Sequence, residues 1–428
     1  MSTYVHDVDV AVVGSGAAGS TAAIAAARTG AHTLLLERHG FLGGTSTAVL
    51  DTFYAFFTPG ERPRKVVSGI PDEVVAALRA EGACFERPNT YGAGTGITYD
   101  PETLKRVWER LVVDAGAAVL LHAVVHGVEL DRDRRVSALR VWTRGGERRV
   151  RAQVVVDASG DADVCSLAGA ATENAAAQGV AQSLSTVFRL ANVDVVRAES
   201  VPKRELWGLM AEAAASGRYA LPRLEGSWHR TPHEGVVMCL MTRVRDVDAT
   251  DPEQLTAAEL EGRRQCAEYA RFLRERVPGF ERAALVSTSP AIGIRESRRI
   301  VGDYVLTAGD VLAARSFPDQ VARCGAPIEE HHAGTDTRWV YLEPGATYGI
   351  PWRSLLPRDV EGVVVAGRCL SATHDAHASA RSMATCMAMG QAAGTGAALA
   401  VAGGCVPRRL DPARLRERLR ADGADVGA

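Results

Sequence analysis

Residues 10–38 constrain the fold of this chain more than any other segment of its sequence. They read VAVVGSGAAGSTAAIAAARTGAHTLLLER, in which an apolar strand leads into Gly14-x-Gly16-x-x-Gly19, a helix of small residues and a second strand ending at Glu37. Gly14 permits a tight turn, Gly16 lets backbone N–H groups approach a pyrophosphate, and Gly19 lets the helix pack closely on the strand. The Glu37 carboxylate lies where it would bind both hydroxyls of an adenosine ribose. The segment therefore predicts a dinucleotide-binding βαβ unit.

The composition of the chain excludes several other classes of protein. Its 428 residues can form two domains, and its formal charge of −2 provides no bulk attraction to nucleic acid or to an anionic membrane. No apolar run approaches the roughly 18 residues that span a bilayer. The first strand begins by about Val8, which leaves no room for a signal peptide, so we expect a cytoplasmic protein. None of the eight cysteines forms a CxxC pair, so we predict reduced thiols and no metal site.

Strands and helices continue beyond the βαβ unit in the order of an α/β chain. Asp100 and Pro101 are typical of a helix start and precede a helix over residues 101–120. Strands are predicted in VLLHAVVHGVEL, VSALRVWTR and RVRAQVVVDAS, and the last of them is predicted to be buried at Val154–Val156. Residues 181–290 mix alternating segments with a charged helix at about 256–276, which predicts an antiparallel sheet with helices.

The end of the chain returns to the pattern of the nucleotide domain. GVVVAG at 362–367 is a third buried strand, and a helix of small residues near 383–402 and the helix DPARLRERLR follow it. We therefore predict an α/β fold with a Rossmann-like domain around a central parallel sheet and an inserted α+β substrate domain. The predicted Rossmann-like domain is discontinuous and comprises residues 1–50, 101–180 and 355–428, and the substrate domain comprises residues 51–100 and 181–354.

Three features favour FAD over NAD as the dinucleotide. The loop after Glu37 contains Gly43-Gly44-Thr45-Ser46, which suits the phosphates and ribityl chain of a long cofactor. Residues 157–161 form another strand end near the first glycine turn. A helix starting at Ser382–Met383 can direct its positive N-terminus at the N1/O2 edge of a reduced flavin, which is anionic there. The stretch Gly92-Ala-Gly94-Thr-Gly96 does not follow a βαβ pattern, so no second, nicotinamide-binding domain is predicted.

These stretches resemble the FAD-dependent oxidoreductase family related to fumarate-reductase-type flavoproteins, within the glutathione-reductase-like superfamily. The matching segments are VVGSGAAGSTAA, LLLERHGFLGGTST, VVVDASGDADVCSLAGA, AIGIRESRRIVGDYVLT and YGIPWRSLLP…GVVVAGRCLSATHDAHASARSMATCMAMGQAAGTGAA. By this resemblance the FAD contacts would be Gly14, Gly16, Ala17, Ala18, Gly19, Glu37, Arg38, Gly44, Thr45, Ser46, Val125, Ala158, Gly160, Gly367, Arg368, Ser382 and Met383.

Two residues of this chain, Arg368 and His39, bear on how the flavin would be held. Many relatives outside this family have Asp after the late AG, where this chain has Arg368, so the carboxylate–ribityl hydrogen bond is not expected here. A histidine beside the GG turn can link a flavin covalently, but His39 lies four residues too early. We therefore predict non-covalent FAD.

Arg295 is a candidate for binding a substrate anion. It stands beside Gly293 in a charged cluster with Glu296, Arg298 and Arg299, and an arginine fork binds a carboxylate or phosphate through two hydrogen bonds. On a helix, Arg295 and Arg299 would share one face. The alternative is an internal Arg–Glu network that joins the domains.

His374 and His377 are the first candidates for a catalytic base. They follow the late AGR strand directly, so they are expected near the flavin ring, and the ordinary pKa of histidine suits proton removal as hydride leaves. The alternative is a structural histidine bonded to backbone. The pair His331-His332, before Gly334 and Asp336, is a candidate for the substrate mouth or for solvated surface.

Tyr54 is the polar-tipped member of an aromatic group with Phe53, Phe56 and Phe57. These side chains follow the GG loop and predict either an aromatic wall over the flavin or plain core.

Together these features predict an FAD-dependent dehydrogenase or oxidase that passes a hydride from a small polar substrate to flavin N5. Arg295 would orient an anionic substrate group, a His or Tyr would take the partner proton, and O2 or an electron carrier would reoxidise the flavin. The alternatives left open are a flavin monooxygenase, a reductase running in the opposite direction, a redox-neutral isomerase and a flavin-binding scaffold without turnover. Assembly of the chain into a homo-oligomer is a further possibility that the sequence leaves open.

Overall fold

The computed structural model describes residues 4–89, 94–331 and 337–427. The strands in these ranges are β1 (Tyr4–Val13), β2 (Thr33–Leu36), β3 (Thr52–Phe53), β4 (Cys84–Pro88), β5 (Thr95–Tyr99), β6 (Ala118–Leu120), β7 (Val124–Leu130), β8 (Val136–Thr143), β9 (Gly146–Asp157), β10 (Thr172–Asn174), β11 (Phe188–Ala191), β12 (Ser227–Arg230), β13 (Val237–Leu240), β14 (Ala284–Thr288), β15 (Arg298–Ile300), β16 (Gln320–Cys324), β17 (Ile328–Glu330), β18 (Arg338–Val340), β19 (Tyr348–Pro351) and β20 (Val363–Val365).

The α-helices in the same ranges are α1 (Ala17–Arg28), α2 (Thr45–Ala48), α3 (Ile70–Ala80), α4 (Pro101–Asp114), α5 (Asp163–Leu167), α6 (Val195–Glu199), α7 (Lys203–Ala215), α8 (Pro252–Arg276), α9 (Ala308–Leu312), α10 (His374–Ala380), α11 (Met383–Ala402) and α12 (Pro412–Ala421). Short 3₁₀ helices occupy Trp352–Leu355 and Pro407–Arg409.

A seven-stranded sheet forms the larger half of the molecule, in the order β6-β2-β1-β9-β8-β7, with β20 paired to the end of β9. The pairs β6–β2, β2–β1, β1–β9 and β9–β20 are parallel, and β9–β8 and β8–β7 are antiparallel. Strands covered on both faces are near-continuous apolar runs, and Val10–Val13, Leu34–Leu36 and Val154–Val156 are buried throughout. The carboxyl ends of β1, β2, β9 and β20 therefore meet at one edge, where ligands bind in open α/β sheets.

Helices α1 and α11 pack on this sheet with their backbones nearly in contact. A Cβ atom on Gly390 or Gly394 of α11 would lie 2.1 Å from the carbonyl oxygen of Ala18 or Ala22, respectively. Glycine is therefore required at both positions for this approach. The close packing fixes the direction of α1 and thereby of its N-terminus at the sheet edge.

A second, antiparallel sheet has the order β12-β13-β11-β14, and α7 and α8 pack with it around a core of their own. This agrees with the predicted antiparallel sheet with helices, and the α/β fold class with a Rossmann-like central sheet is confirmed. The predicted domain boundaries stay a prediction.

Three local predictions differ from the structure. The segment VLLHAVVHGVEL forms two strands, β6 and β7, because His122 between them has a left-handed φ of 54° that breaks an extended run. The charged helix near 256–276 begins earlier, at Pro252, where Asp251 caps it by accepting from Gln254 N. The helix predicted over residues 101–120 ends at Asp114, because Gly116 with a φ of 90° breaks it before residues 118–120 form β6.

None of the helices in the described ranges combines the length and hydropathy of a membrane span.

Candidate functional site

One cavity runs from the edge of the parallel sheet to the antiparallel sheet. Its wall includes the ends of β1, β2, β9 and β20, the starts of α1, α2 and α11, and residues of β12 and β13. The parallel sheet and the antiparallel sheet thus both contribute residues to this cavity.

The first glycine turn leaves room for a phosphate at the start of α1. Gly14 has φ 88°, and a Cβ there would lie 2.6 Å from the carbonyl oxygen of Ala158. A Cβ on Gly19 would lie 1.8 Å from the carbonyl oxygen of Gly14, so only glycine at position 19 lets the helix pack this closely against the turn. A Cβ on Gly16 would meet no described atom within 4 Å, and Gly16 provides no side-chain cap for α1. The first N–H groups of α1 are therefore available to an anion.

Glu37 is fixed at the end of β2 by three hydrogen bonds. Its Oε2 accepts from Ser15 N at 2.8 Å and Ser15 Oγ at 2.5 Å, and its Oε1 accepts from His39 N at 2.8 Å. The side chain is nearly buried yet borders the cavity. A carboxylate held in this way is oriented to accept hydrogen bonds from ribose hydroxyls.

The start of α11 faces the opposite part of the cavity. Ser382 at its N-cap makes no side-chain cap, and Ala384 N donates to the carbonyl oxygen of Tyr54 at 3.1 Å. Arg381, Ser382 and Met383 all border the cavity. A 20-residue helix directs a positive partial charge at this end, which suits the anionic edge of a reduced flavin.

The structure brings most of the predicted FAD contacts together. Gly19 lies behind the turn, against Gly14, and the other predicted contacts border the cavity: Gly14, Gly16, Ala17, Ala18, Glu37, Arg38, Gly44, Thr45, Ser46, Val125, Ala158, Gly160, Gly367, Arg368, Ser382 and Met383. These residues, with their open glycine cradle and two helix N-termini, fit a dinucleotide.

Arg368, which directly follows Ala366-Gly367, is held by polar neighbours. Its Nη2 donates to Asp161 Oδ1 at 2.8 Å and its Nη1 donates to Ser297 Oγ at 2.8 Å. Burial would raise the pKa of Asp161, but Arg368 lowers it, so this carboxylate is ionised. The charge of Arg368 is therefore largely balanced within the protein.

Three arginines and one carboxylate border the cavity where the sheet of β11–β14 closes it. They are Arg223, Arg295, Arg381 and Glu329. Arg295 Nη1 donates to the carbonyl oxygen of Ser183 at 2.6 Å and to Ser185 Oγ at 3.0 Å. Arg381 Nη2 donates to the carbonyl oxygen of Glu329 at 2.9 Å. We call these three residues, Arg223, Arg295 and Arg381, the arginine cluster.

Arg295 keeps its positive charge although it lies among other buried cations. Burial, together with Arg381 and Arg223, lowers the pKa of Arg295 to about 9, which still leaves it cationic at neutral pH. Burial would raise the pKa of Glu329, yet His331, Arg381 and Arg295 bring it down to about 2. Arg381 Nε is buried without a hydrogen-bond partner in the part of the chain that the structure describes. An anion in the cavity would pair with Arg295 and with this unpartnered Nε of Arg381.

Tyr54 borders the cavity, whereas its aromatic neighbours belong to the core. Phe53 and Phe56 are buried, and the Phe53 ring packs on Tyr99 with 4.2 Å between ring centroids. Burial raises the pKa of Tyr54, so its hydroxyl stays protonated at neutral pH.

His374 and His377 lie outside the cavity wall. His377 is fully buried, with Nε2 2.8 Å from the carbonyl oxygen of Arg368. His374 Nδ1 lies 2.8 Å from Glu296 Oε2, and Glu296 also pairs with Arg299. These contacts form an internal network between α10 and the segment before β15. A backbone-bonded histidine was the alternative for His377, and an internal Arg–Glu network was the alternative for Glu296 and Arg299. Catalytic roles for His374 and His377 stay predictions.

The second histidine pair is only partly described. His331 is buried, with Nε2 2.9 Å from Glu329 Oε1 and Nδ1 3.0 Å from Thr337 Oγ1. His332, Gly334 and Asp336 lie outside the described residues.

Ligand atoms of Glu330, His374 and Asp375 come within 4.8 Å of one another, as in a metal site. Arg338 donates to Glu330 Oε2 at 2.5 Å and to Asp375 Oδ1 at 2.6 Å. Because one guanidinium already bridges both carboxylates, this half-buried group resembles an ion-pair network.

Sequence reasoning missed a histidine–carboxylate pair on the cavity wall. His229 borders the cavity, and its Nε2 lies 2.9 Å from Oδ1 of the fully buried Asp51. The two residues are 178 positions apart, so no spacing in the sequence links them. Arg223, Glu329 and Arg381 were missed for the same reason. The one local signal was for Asp51, which is a lone acid directly after the apolar Ala48-Val49-Leu50.

The chain belongs to the FAD dependent oxidoreductase family, whose model matches residues 9–419. It is therefore an enzyme that uses FAD.

Curated relatives match parts of the chain. A digeranylgeranylglycerophospholipid reductase from Methanosphaera stadtmanae is 25% identical over 36% of this chain and 40% of its own length. A thiamine thiazole synthase from Pyrobaculum calidifontis is 32% identical over 38% of this chain and 60% of its own length. The matches thus span about half the length of these relatives.

A solved structure has a similar fold across nearly the whole chain. The geranylgeranyl bacteriochlorophyll reductase-like protein from Thermoplasma acidophilum shares 14% identity, with a TM-score of 0.50 and coverage of 98% of this chain and 85% of that one. At this identity the likeness concerns the fold alone.

Proposed function

We propose that this enzyme removes a hydride from a small organic substrate that carries an anionic group. The observation that carries the proposal is the arginine cluster, which borders the same cavity as the FAD-binding turns. When bound, FAD supplies a hydride acceptor at N5. The cluster binds the substrate's carboxylate or phosphate and thereby fixes which carbon faces the flavin.

Arg295 has the central role in this proposal. Two of its hydrogen bonds, to Ser183 and Ser185, use the single nitrogen Nη1, so the rest of the fork is left for a ligand. Guanidinium forks bind carboxylates through two parallel hydrogen bonds, which gives direction as well as affinity. Tyr54 borders the cavity as a hydroxyl donor to the substrate or flavin.

We also propose that FAD is bound non-covalently, that O2 or an electron carrier reoxidises it, and that the protein is cytoplasmic. A closer relation to fumarate-reductase-type flavoproteins stays a prediction that rests on the motifs quoted above.

Anaerobic reduction of the flavin tests the proposal. The holoenzyme is mixed with 2-hydroxy acids and amino acids, each paired with its uncharged ester or amide, and the oxidised flavin band is followed. We expect bleaching by at least one acid and not by its uncharged partner. Bleaching by neutral compounds alone, or by none, would contradict an anionic hydride donor. NAD(P)H consumption coupled to oxygen insertion would favour the monooxygenase.

Arginine variants locate the anion. We expect Arg295→Met to raise the KM for the reducing acid at least tenfold, because a charge-assisted pair is worth about 1.5–3 kcal/mol. Arg274 is exposed on α8, so Arg274→Met is the matched control and leaves KM unchanged.

A further inference from the structure

The cavity wall holds a histidine–carboxylate pair that the proposed function does not use. His229 lies in β12, and Asp51 lies just after α2, which itself follows the second glycine turn. His229 borders the cavity and Asp51 does not, so the carboxylate stands behind the imidazole as seen from the cavity. The pair thus links an FAD-binding segment to the antiparallel sheet.

The hydrogen bond between the two residues determines which ring nitrogen is free. An ionised carboxylate only accepts hydrogen bonds, so the proton of the neutral imidazole lies on Nε2, which donates to Asp51 Oδ1 at 2.9 Å. Nδ1 then keeps its lone pair, and it has no hydrogen-bond partner among the residues that the structure describes. Since Asp51 holds the far side of the ring, Nδ1 is the nitrogen available to a molecule in the cavity.

The surroundings keep Asp51 charged and His229 neutral. Burial would raise the pKa of Asp51, but His229, Arg189 and Arg87 lower it. Burial lowers the pKa of His229 and Asp51 opposes this, while Arg87 and Arg189 add to the lowering. A neutral imidazole against an ionised carboxylate is the resting state of a general base.

Asp51 also has unused capacity to stabilise a cation. Its Oδ2 is buried with no hydrogen-bond partner in the described part of the chain, and apart from His229 the side chain accepts only a long bond of 3.3 Å from Thr52 Oγ1. Its charge is therefore directed mainly at the imidazole. An imidazolium formed at His229 would gain this attraction in a buried setting.

We propose that His229, oriented by Asp51, accepts the proton that the substrate loses as its hydride leaves. The inference rests on the proposed function and adds that the substrate is an alcohol or amine as well as an anion. The O–H or N–H proton passes to Nδ1, and the C–H hydrogen leaves with its electron pair to oxidised FAD, which is the oxidant. The O–H or N–H bonding pair becomes the second bond of the new C=O or C=N. The imidazolium then returns its proton to solvent.

Histidine variants test the step in the holoenzyme, with the acid that reduces the wild-type flavin fastest as the probe. We expect His229→Ala to slow anaerobic flavin reduction about 10²–10⁴-fold, the usual worth of a general base. FAD content and KM stay near wild type, the acid limb of the pH profile disappears, and added imidazole restores part of the rate. His233→Ala is the matched control. His233 also pairs with a carboxylate, that of Asp100 at 3.2 Å, but its side chain is 63% exposed. We expect it to change nothing.

Asp51→Asn tests whether Asp51 orients the His229 ring through its charge or only fills space, because the amide keeps the shape of the carboxylate. We expect slower reduction and an altered His229 tautomer with normal FAD content. An unchanged rate in His229→Ala, or a loss that imidazole does not restore, would overturn the proposal.

A spectroscopic measurement decides the role of His229 even if no acid reduces the flavin. In ¹⁵N-histidine-labelled holoenzyme, the His229 signals are those missing from His229→Ala. We expect the neutral Nε2–H tautomer near neutral pH. An Nδ1–H tautomer or a cationic ring would refute the base, whereas the absence of bleaching by the acids would refute the proposed substrate class alone.

Discussion

A methyl group at Gly390 should damage both the fold and the FAD site. Its Cβ would lie 2.1 Å from the carbonyl oxygen and 2.8 Å from the carbonyl carbon of Ala18. Ordinary C···O contacts begin near about 3.3 Å, so α11 and α1 must separate by about 1 Å. Backbone atoms cannot rotate away as a side chain would, so we expect Gly390→Ala to cost about 3 kcal/mol, the upper end for an overpacked core.

The same displacement moves the start of α1. Because the first N–H groups of α1 face the cavity beside Gly16, their separation from the second glycine turn weakens the hold on FAD. Thermal unfolding followed by circular dichroism gives the stability, and the rise of free flavin fluorescence on heating gives cofactor release. We expect both transitions to move to lower temperature, with flavin released first.

Gly208 provides the matched control. It lies within α7 and a Cβ there would meet no described atom within 4 Å. Alanine is favoured over glycine inside a helix by about 0.5–1 kcal/mol, so Gly208→Ala should raise the melting temperature slightly. Wild-type melting and full FAD content in Gly390→Ala would refute the argument from helix contact.

Three other changes test separate parts of the account. Glu37→Ala removes an acceptor whose charge-assisted hydrogen bonds are worth about 1.5–3 kcal/mol each, so equilibrium dialysis should show FAD affinity reduced tenfold or more; full retention would remove Glu37 from the ribose site. Burial, Asp161 and Asp157 raise the pKa of Asp163 to about 6, which is above its pKa of about 4 in the unfolded chain. Ionised Asp163 therefore lowers the stability of the fold above about pH 6, and this cost is absent below about pH 4, where the group is protonated in both states. Asp163→Asn should therefore raise the melting temperature at alkaline pH more than at acid pH, and an equal gain at all pH values would contradict this. His374→Ala should lower the melting temperature by breaking the Glu296 network while stopped-flow flavin reduction stays unchanged; a slower rate would support the catalytic role predicted from the sequence.

The cofactor-binding half was predictable because its signals are local. A strand, a glycine turn, a helix and a terminal acid lie within residues 10–38, and the helix α11 was predicted with nearly its observed bounds. Each of these elements is specified by neighbours in sequence. The capped start of α4, where Asp100 accepts from Thr103 N at 2.8 Å, was predictable for the same reason.

The arginine cluster and the pair of Asp51 and His229 were not predictable in the same way, because their contacts join distant segments. Arg223, Arg295 and Arg381 come together only through the tertiary fold, and so do Asp51 and His229. The pairing of β15 with β10 likewise joins segments that lie more than 120 positions apart. Position next to the late AGR motif made His374 and His377 attractive, yet α10 directs both into a buried network.

The most direct measurement of the central claim is a titration of the oxidised holoenzyme with oxalate and, separately, with its uncharged analogue oxamide. In the proposed site, an anion bound by the arginine cluster would lie in the same cavity as the flavin and would perturb its visible absorption band. We predict a saturable spectral change with oxalate, none with oxamide, and loss of the change in Arg295→Met but not in Arg274→Met. An equal response to both compounds, or an oxalate response that survives in Arg295→Met, would contradict an anion site next to FAD.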